Sequence, residues 1–178
     1  MPTVLTHAVA AAALVPVART RRLWPLAAVG AACAVAPDLD VVGLALGVDY
    51  GDPLGHRGLS HSLAAAVLLA AVVAACVPRW RRPAVGLYLF AATASHGLLD
   101  MLTDGGLGVA LLGPFVGERL FFPVRPIEVS PIGVSGFLTS RGAEVLASEA
   151  LWVWLPSALA FALLARGLRR PAGADAGR

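Results

Sequence analysis

Charged residues are scarce in this sequence. Only 14% of the 178 residues are charged, whereas 58% are hydrophobic, and the mean hydropathy is +0.77. An average soluble domain has about 25% charged residues, so the composition predicts an integral membrane protein. No basic residue precedes Arg19, and apolar runs recur to the end of the chain. This pattern differs from that of a cleavable signal peptide, so we expect the N-terminus to be retained.

Several common motifs are also missing. Cys33 and Cys76 lie in separate apolar runs without CxxC spacing, so we interpret them as small core hydrophobes. The absence of an HExxH motif disfavours an intramembrane zinc protease. The net charge is +3, but the arginines cluster beside apolar runs. Such clusters are typical of membrane flanks, and no nucleic-acid partner is indicated.

The apolar residues form five segments, at about 3–18, 23–36, 61–77, 84–102 and 146–165. A helix needs roughly 20 residues to cross a bilayer, and the last three segments approach that length. The first two are short and would cross only if buried among the others or in a locally thinner bilayer. We therefore predict an all-α fold, an integral membrane helical bundle of about five apolar helices. The bundle would form one domain over residues 1–170, followed by a disordered tail at 171–178.

Arginine positions predict an orientation for this bundle. Arginine clusters follow the first, third and fifth segments, at 19–22, 79–82 and 166–170. The positive-inside rule places these clusters, and the C-terminus, on the cytoplasmic side of the cell (inner) membrane. The N-terminus and the loops at 37–60 and 103–143 would then lie outside the cytoplasm.

All four histidines fall at the predicted outer ends of the segments, together with three aspartates. The full set is His7, Asp38, Asp40, His56, His61, His96 and Asp100. His96 and Asp100 are four residues apart and would share one helix face. Asp38 and Asp40, if the backbone is extended, would point to the same side.

Imidazole and carboxylate groups without thiolate suit zinc, or alternatively manganese, in a hydrolytic site with an open position for water. Ionisable groups are costly at membrane depth, so their joint placement indicates a metal site near the outer membrane face. Taken singly, each group has a structural alternative. His7 could be an interface residue, Asp40 a helix cap, and His56 with Arg57 part of a solvated loop.

At these residues the sequence resembles the YdjM-like family of membrane-bound metal-dependent hydrolases. The matching pieces are THAVAA (6–11), APDLD (36–40), HRGLSHS (56–62) and SHGLLDMLTDGG (95–106). They cover roughly the first 106 residues, and LFFPVRP adds a loose likeness in the C-terminal third. The family is in turn distantly similar to zinc-dependent phospholipases C and single-strand nucleases, which are all-helical and hold a zinc cluster.

The resemblance implies a ligand set. It consists of an early histidine, His7; an aspartate after the second helix, Asp38 or Asp40; His61; and the pair His96 and Asp100. The soluble enzymes have further downstream ligands, but no histidine follows His96 in this chain. We therefore expect one or two divalent ions rather than three.

The resemblance further implies metal-assisted hydrolysis of a phosphoester, and the membrane location favours a lipid or lipid-linked phosphate. Asp38 or Asp40 would bridge two ions, Asp104 or the free aspartate of that pair would act as general base, and Arg57 would hold the phosphate. Arg119 and Arg125 are further cations available for that role. The predicted partners are membrane lipids. The alternative is a non-enzymatic metal-binding membrane protein or transporter, although a transporter would favour ligands nearer the bilayer midplane.

Overall fold

A computed structural model describes residues 1–20, 22–131 and 134–169, and these residues are predominantly helical. Their α-helices are α1 Val4–Ala13, α2 Leu23–Val35, α3 Val41–Ala45, α4 Leu63–Cys76, α5 Pro83–Met101, α6 Val134–Phe137, α7 Ser140–Glu149 and α8 Leu155–Arg169. Single 3-10 turns lie at Val15–Ala18, Ala36–Asp40, Leu59–His61 and Pro78–Trp80, and a π-helical segment, Ala150–Trp154, joins α7 to α8. Isolated bridges pair Thr103 with Ile127 and Val109 with Leu120, but the described part of the chain has no β-strand. The all-α prediction is confirmed.

Two helical stretches are long and apolar enough to cross a membrane, Leu23–Ala45 and Ser140–Gly167. Helices α1 and α4 are apolar but shorter. The first predicted segment does not continue as one α-helix, because a 3-10 turn containing Pro16 follows α1 and proline lacks the amide that would extend the helix. The structure thus supports two spans, and the bundle of five spans stays a prediction. The predicted disordered tail lies outside the described residues.

Small side chains allow α1, α2 and α5 to pack closely. Ala11, Ala34 and Ala92, one from each helix, are fully buried. Tyr88 of α5 is also buried and lies against Gly30 of α2, where an added β-carbon would overlap the tyrosine hydroxyl. Alanine and glycine at helix contacts permit the short interhelical distances that are typical of membrane proteins.

The arginines and the histidine–aspartate cluster lie at opposite ends of the helices. His96 lies near the C-terminal end of α5, whereas Arg82 directly precedes that helix. From Pro83 to His96 the helix rises about 20 Å over 13 residue steps. Similarly, Arg22 precedes α2 and Asp38 follows it. The arginine clusters at 19–22 and 79–82 are therefore separated from the histidine–aspartate cluster by about the length of a helix.

Candidate metal centre

Two histidines face each other at the centre of the cluster. The Nε2 atoms of His61 and His96 are 2.9 Å apart. The Nδ1 atom of His96 is 2.6 Å from the carbonyl oxygen of Ala34, to which it donates. The Nδ1 atom of His61 lies 3.1 Å from Asp40 Oδ2 and 2.9 Å from Ser60 Oγ. These partners favour the tautomers that carry the proton on Nδ1, so that the two Nε2 lone pairs face each other. Lone pairs at this distance repel unless a metal ion or a proton lies between them.

Two carboxylates surround the same point. Asp38 Oδ1 is 3.3 Å from His96 Nε2 and 3.7 Å from His61 Nε2. Asp100 Oδ2 is 3.5 Å from His61 Nε2 and 3.8 Å from His96 Nε2. Ligand atoms at zinc-binding distances of about 2.0–2.1 Å in a tetrahedral site are about 3.3 Å from one another. The four side chains therefore fit the donor spacing of one divalent ion.

His7 extends the cluster on the side of Asp100. Its ring stacks on His96 with centroids 3.7 Å apart, and its Nε2 lies 3.5 Å from Asp100 Oδ1. Both nitrogens of His7 and all four carboxylate oxygens of Asp38 and Asp100 are buried without a hydrogen-bond partner. Buried polar groups normally have a hydrogen-bond partner, so these unpartnered nitrogen and oxygen atoms are suited to coordinate a metal ion.

The possible ligands form two adjoining groups. One comprises His7, His96 and Asp100, and the other comprises Asp38, His56 and His61. Because His61 and His96 meet at Nε2, the groups touch. This arrangement is compatible with one or two ions.

The charges of the cluster are unbalanced. Asp38, Asp40 and Asp100 supply three carboxylates, and Arg57 supplies one guanidinium, whose Nε lies 3.2 Å from Asp100 Oδ2. Two negative charges are left over if the histidines are neutral. Buried charges are stable only when compensated, and one divalent cation would compensate both.

Asp38 and Asp40 have different surroundings. Residues 36–40 form a 3-10 turn, so the extended backbone on which the shared direction of the two carboxylates depended is absent. Asp38 faces the two Nε2 atoms. Asp40 instead accepts from Ser60 Oγ at 2.5 Å and lies 2.6 Å from His56 Nδ1. The geometry thus favours Asp38 as a ligand and Asp40 as the group that orients His56 and His61.

The pKa of His61 is set by the surrounding carboxylates. His61 lies outside both candidate spans. Burial by itself lowers the pKa of His61. The neighbouring carboxylates of Asp100, Asp38 and Asp40 favour the charged ring, outweigh burial and raise that pKa to about 10. A cation, whether a proton or a metal ion, is therefore strongly favoured at this position.

The loop before α4 folds over the cluster and brings His56 to it. Arg119 Nη1 donates to the carbonyl oxygen of His56 at 2.9 Å. Its Nη2 donates to the carbonyl oxygens of Tyr50 at 2.9 Å and Asp52 at 3.0 Å. Arg119, predicted as a phosphate-binding cation, is thus engaged in holding this loop.

Arg57 and Asp104 also occupy positions that differ from their predicted roles. Arg57 is only 1% exposed, and it donates from Nη1 to the Gly105 carbonyl at 2.8 Å and from Nη2 to Thr103 Oγ1 at 3.1 Å. It therefore braces Asp100 instead of facing open solvent. Asp104 is exposed, and its Oδ1 accepts from the Val129 amide at 2.8 Å. The geometry supports neither a phosphate contact for Arg57 nor a general-base role for Asp104. Of the remaining predicted cation, Arg125, the guanidinium lies 4.8 Å from the Phe121 ring centroid.

Gly97 is a site residue that the sequence reasoning did not single out. A β-carbon at Gly97 would lie 2.7 Å from the backbone carbonyl oxygen of His61. The missing side chain lets the His61 turn approach α5 closely enough for His61 to meet His96. The signal was present within SHGLLD, as a glycine inside a helical pattern.

Glu149 is a second residue that sequence reasoning missed. This fully buried carboxylate accepts from the hydroxyls of Thr3 and Thr6, each at 2.6 Å. Trp154 Nε1 donates to Thr6 Oγ1 at 2.6 Å. The network joins the last long helical stretch to α1 one residue before His7. The available signal was a lone acidic residue in an apolar segment, which is costly unless it has a role.

A cleft of about 590 Å³ lies beside the cluster, with His56 in its lining. Its other walls are mostly apolar and include Val4 and Leu5 of α1, Val41 of α3 and Leu146 of α7. Val41 and Leu146 belong to the two candidate membrane spans. The cleft is therefore bordered both by a possible metal ligand and by apolar side chains of the spans.

Comparison with known proteins agrees with the resemblance found in the motifs. The family described as YdjM inner membrane protein matches residues 1–172. The inner membrane protein YbcI of Escherichia coli (strain K12) is 38% identical over 168 residues, which cover 92% of this chain and 97% of that protein. No solved structure matches. The chain thus belongs to the YdjM family of inner membrane proteins.

Proposed function

We propose that this protein is a membrane-bound metal-dependent hydrolase that cleaves a phosphoester. The observation that carries the proposal is the convergence of His61 and His96 Nε2 with the carboxylates of Asp38 and Asp100. A divalent ion held there, zinc by the donor chemistry or else manganese, would polarise a phosphoryl oxygen and lower the pKa of a water to about 7.

The protein's own residues would orient the reacting groups. Asp38 is more exposed, at 7%, than the histidines and Asp100 around it, and its carboxylate oxygens have no hydrogen-bond partner. If one of these oxygens binds the ion, the other is left to accept a hydrogen bond from an incoming water and to orient it. Asp40 keeps the rings of His56 and His61 in position through their Nδ1 atoms. Arg57 holds Asp100 in place.

The apolar cleft supports a substrate with a hydrocarbon portion. Its volume of about 590 Å³ falls within the about 300–1,000 Å³ of typical ligand sites. Val41 and Leu146 bring side chains of the candidate spans to its wall, and His56 borders it. A lipid or lipid-linked phosphate could thus place its phosphoester near the cluster and its chain against the apolar wall.

Burial of the donors favours a second candidate, a metal-binding protein without hydrolytic activity. His7, His96 and Asp100 are all 0% exposed. Four protein donors around one point leave little room for the water that a catalytic zinc site keeps. Such a site would hold or carry the ion instead of using it for hydrolysis.

Turnover assays separate the two candidates. The protein would be purified in detergent without a histidine tag, loaded with zinc or manganese, and offered phosphodiesters, phosphomonoesters and phospholipids. Hydrolysis by the wild type that is lost in His96→Ala supports the enzyme. Stoichiometric metal with no turnover on any substrate, together with metal flux into proteoliposomes, supports the carrier and contradicts the hydrolase.

A further inference from the structure

A basic pocket lies at the end of the fold opposite the metal centre. This pocket has a volume of about 260 Å³ and is lined by Arg22, Arg79 and Arg82, with Trp80 and Thr20 beside them. Its floor includes Leu26 and Val85, both nearly fully buried. No acidic side chain lines the pocket among the residues the structure describes.

The arginines of this region do not all serve the same purpose. Arg81 donates from Nε and Nη2 to the carbonyl oxygen of Ala75, at 3.2 and 2.9 Å, and so caps the end of α4. Arg22, Arg79 and Arg82 line the pocket instead, and the structure gives none of their guanidinium groups a carboxylate partner within the described chain. Three positive charges around one small pocket create a strong attraction for an anion with several oxygens.

The N-termini of α2 and α5 lie beside the basic pocket and add to its positive electrostatic potential. Arg22 and Arg82 are the N-cap residues of α2 and α5, and neither helix start has a side-chain cap. Free amides at these two helix starts add some partial positive charge to that of the guanidinium groups. Pro25 and Pro83 contribute no amide hydrogen, and the Val85 amide donates to the Arg82 carbonyl oxygen at 2.9 Å.

An apolar groove adjoins the basic pocket and indicates the kind of anion. The groove, of about 990 Å³, is lined by Arg19 and Pro83, which are the chain neighbours of the pocket residues Thr20 and Arg82. Its apolar wall includes Leu163 of the second candidate span. A free phosphate ion has no apolar part that could fill this groove, whereas the hydrocarbon chains of a membrane lipid could pack against its apolar wall.

We infer that the pocket formed by Arg22, Arg79 and Arg82 binds the phosphate of an anionic phospholipid, whose hydrocarbon chains lie along the adjoining groove. Basic pockets between helices at a membrane surface are suited to such headgroups. This lipid site is about 20 Å from the metal centre, given the rise of α5. It is therefore separate from the proposed catalytic site and does not depend on the hydrolase proposal.

The test measures lipid binding to the full chain in detergent by native mass spectrometry and titration calorimetry. The probes are short-chain phosphatidylglycerol, phosphatidylcholine and glycerol phosphate. We expect phosphatidylglycerol to bind best. The triple variant Arg22→Gln, Arg79→Gln, Arg82→Gln should weaken that binding about 100-fold, since each basic residue near the surface contributes about fivefold.

Matched controls distinguish a specific pocket from general charge attraction. Arg125→Gln removes one exposed positive charge at the opposite end of the fold and should leave phosphatidylglycerol affinity unchanged, whereas the single variant Arg79→Gln should weaken it. Circular dichroism would establish that each variant is folded. Equal loss in Arg125→Gln and Arg79→Gln would overturn the pocket. Equal binding of glycerol phosphate and phosphatidylglycerol would overturn the lipid assignment, and so would wild-type affinity in the triple variant.

Discussion

The Nε2 atoms of His61 and His96 lie 2.9 Å apart although the residues are 35 positions apart in the chain. Each ring is held from behind at Nδ1, His96 by the Ala34 carbonyl and His61 by Asp40. Asp38 and Asp100 approach the same point. This arrangement makes metal binding the first property to measure.

Loss of a ligand should abolish metal retention. We expect His96→Ala and Asp100→Asn to contain less than about a tenth of the wild-type zinc or manganese, because removing one donor from a buried site both lowers affinity and unbalances its charge. The measurement is elemental analysis of tag-free protein after gel filtration. Asp49→Asn is the control, since Asp49 is an exposed carboxylate outside the cluster. Full metal content in Asp100→Asn would contradict its role as a ligand.

Metal binding should release a proton. Because the pKa of His61 is raised to about 10, this ring carries a proton near neutral pH when no metal is bound, and a metal ligand must lose it. Affinity should therefore rise with pH up to about 10. Calorimetric titrations in two buffers of different ionisation enthalpy would count the released protons at pH 7.5, and zero release would refute this view of His61.

The same proton affects the stability of protein treated with a chelator. A pKa raised from 6.5 to about 10 means that protonated His61 stabilises the folded chain fully below pH 6.5. This contribution is lost as the pH rises through about 10. Thermal melts of chelator-treated protein should show the decline, and it should be absent from His61→Ala.

The close approach of the His61 backbone to Gly97 should be necessary for metal binding by the cluster. We expect Gly97→Ala to weaken metal binding about tenfold, because the new methyl group would displace the His61 turn. Gly86→Ala is a matched control in the same helix, since nothing lies within 4 Å of its β-carbon position. Equal metal affinity in the two variants, measured by competition with a chromogenic chelator, would show that the turn tolerates the methyl group.

Glu149 should stabilise the fold through α1. Glu149→Ala would leave the hydroxyls of Thr3 and Thr6 without their acceptor, at a cost of about 3 kcal/mol in the free energy of unfolding. Glu144→Ala, in the same helix but exposed, should have little effect. Thermal or denaturant unfolding in detergent would compare them, and identical stability would mean that the network contributes nothing measurable.

Local sequence patterns predicted the helical class and the members of the cluster. The apolar segments indicated helices because periodicity and length act locally, and the motifs named all seven side chains that the structure brings together. The pairing of His96 with Asp100 followed from helical spacing alone. Hydrophobicity did not reveal where α1 ends, so the number of spans stays a prediction beyond the two stretches that are long and apolar enough to cross a membrane.

Only the tertiary structure assigned roles within that set. The 3-10 turn at Ala36–Asp40 separates Asp38, which faces the two Nε2 atoms, from Asp40, which holds the rings. Folding also buries Arg57 against Asp100 and leaves Asp104 at the surface. These distinctions depend on contacts between distant parts of the chain. The sequence by itself determined which donor groups are available, and long-range packing decided which of them meet.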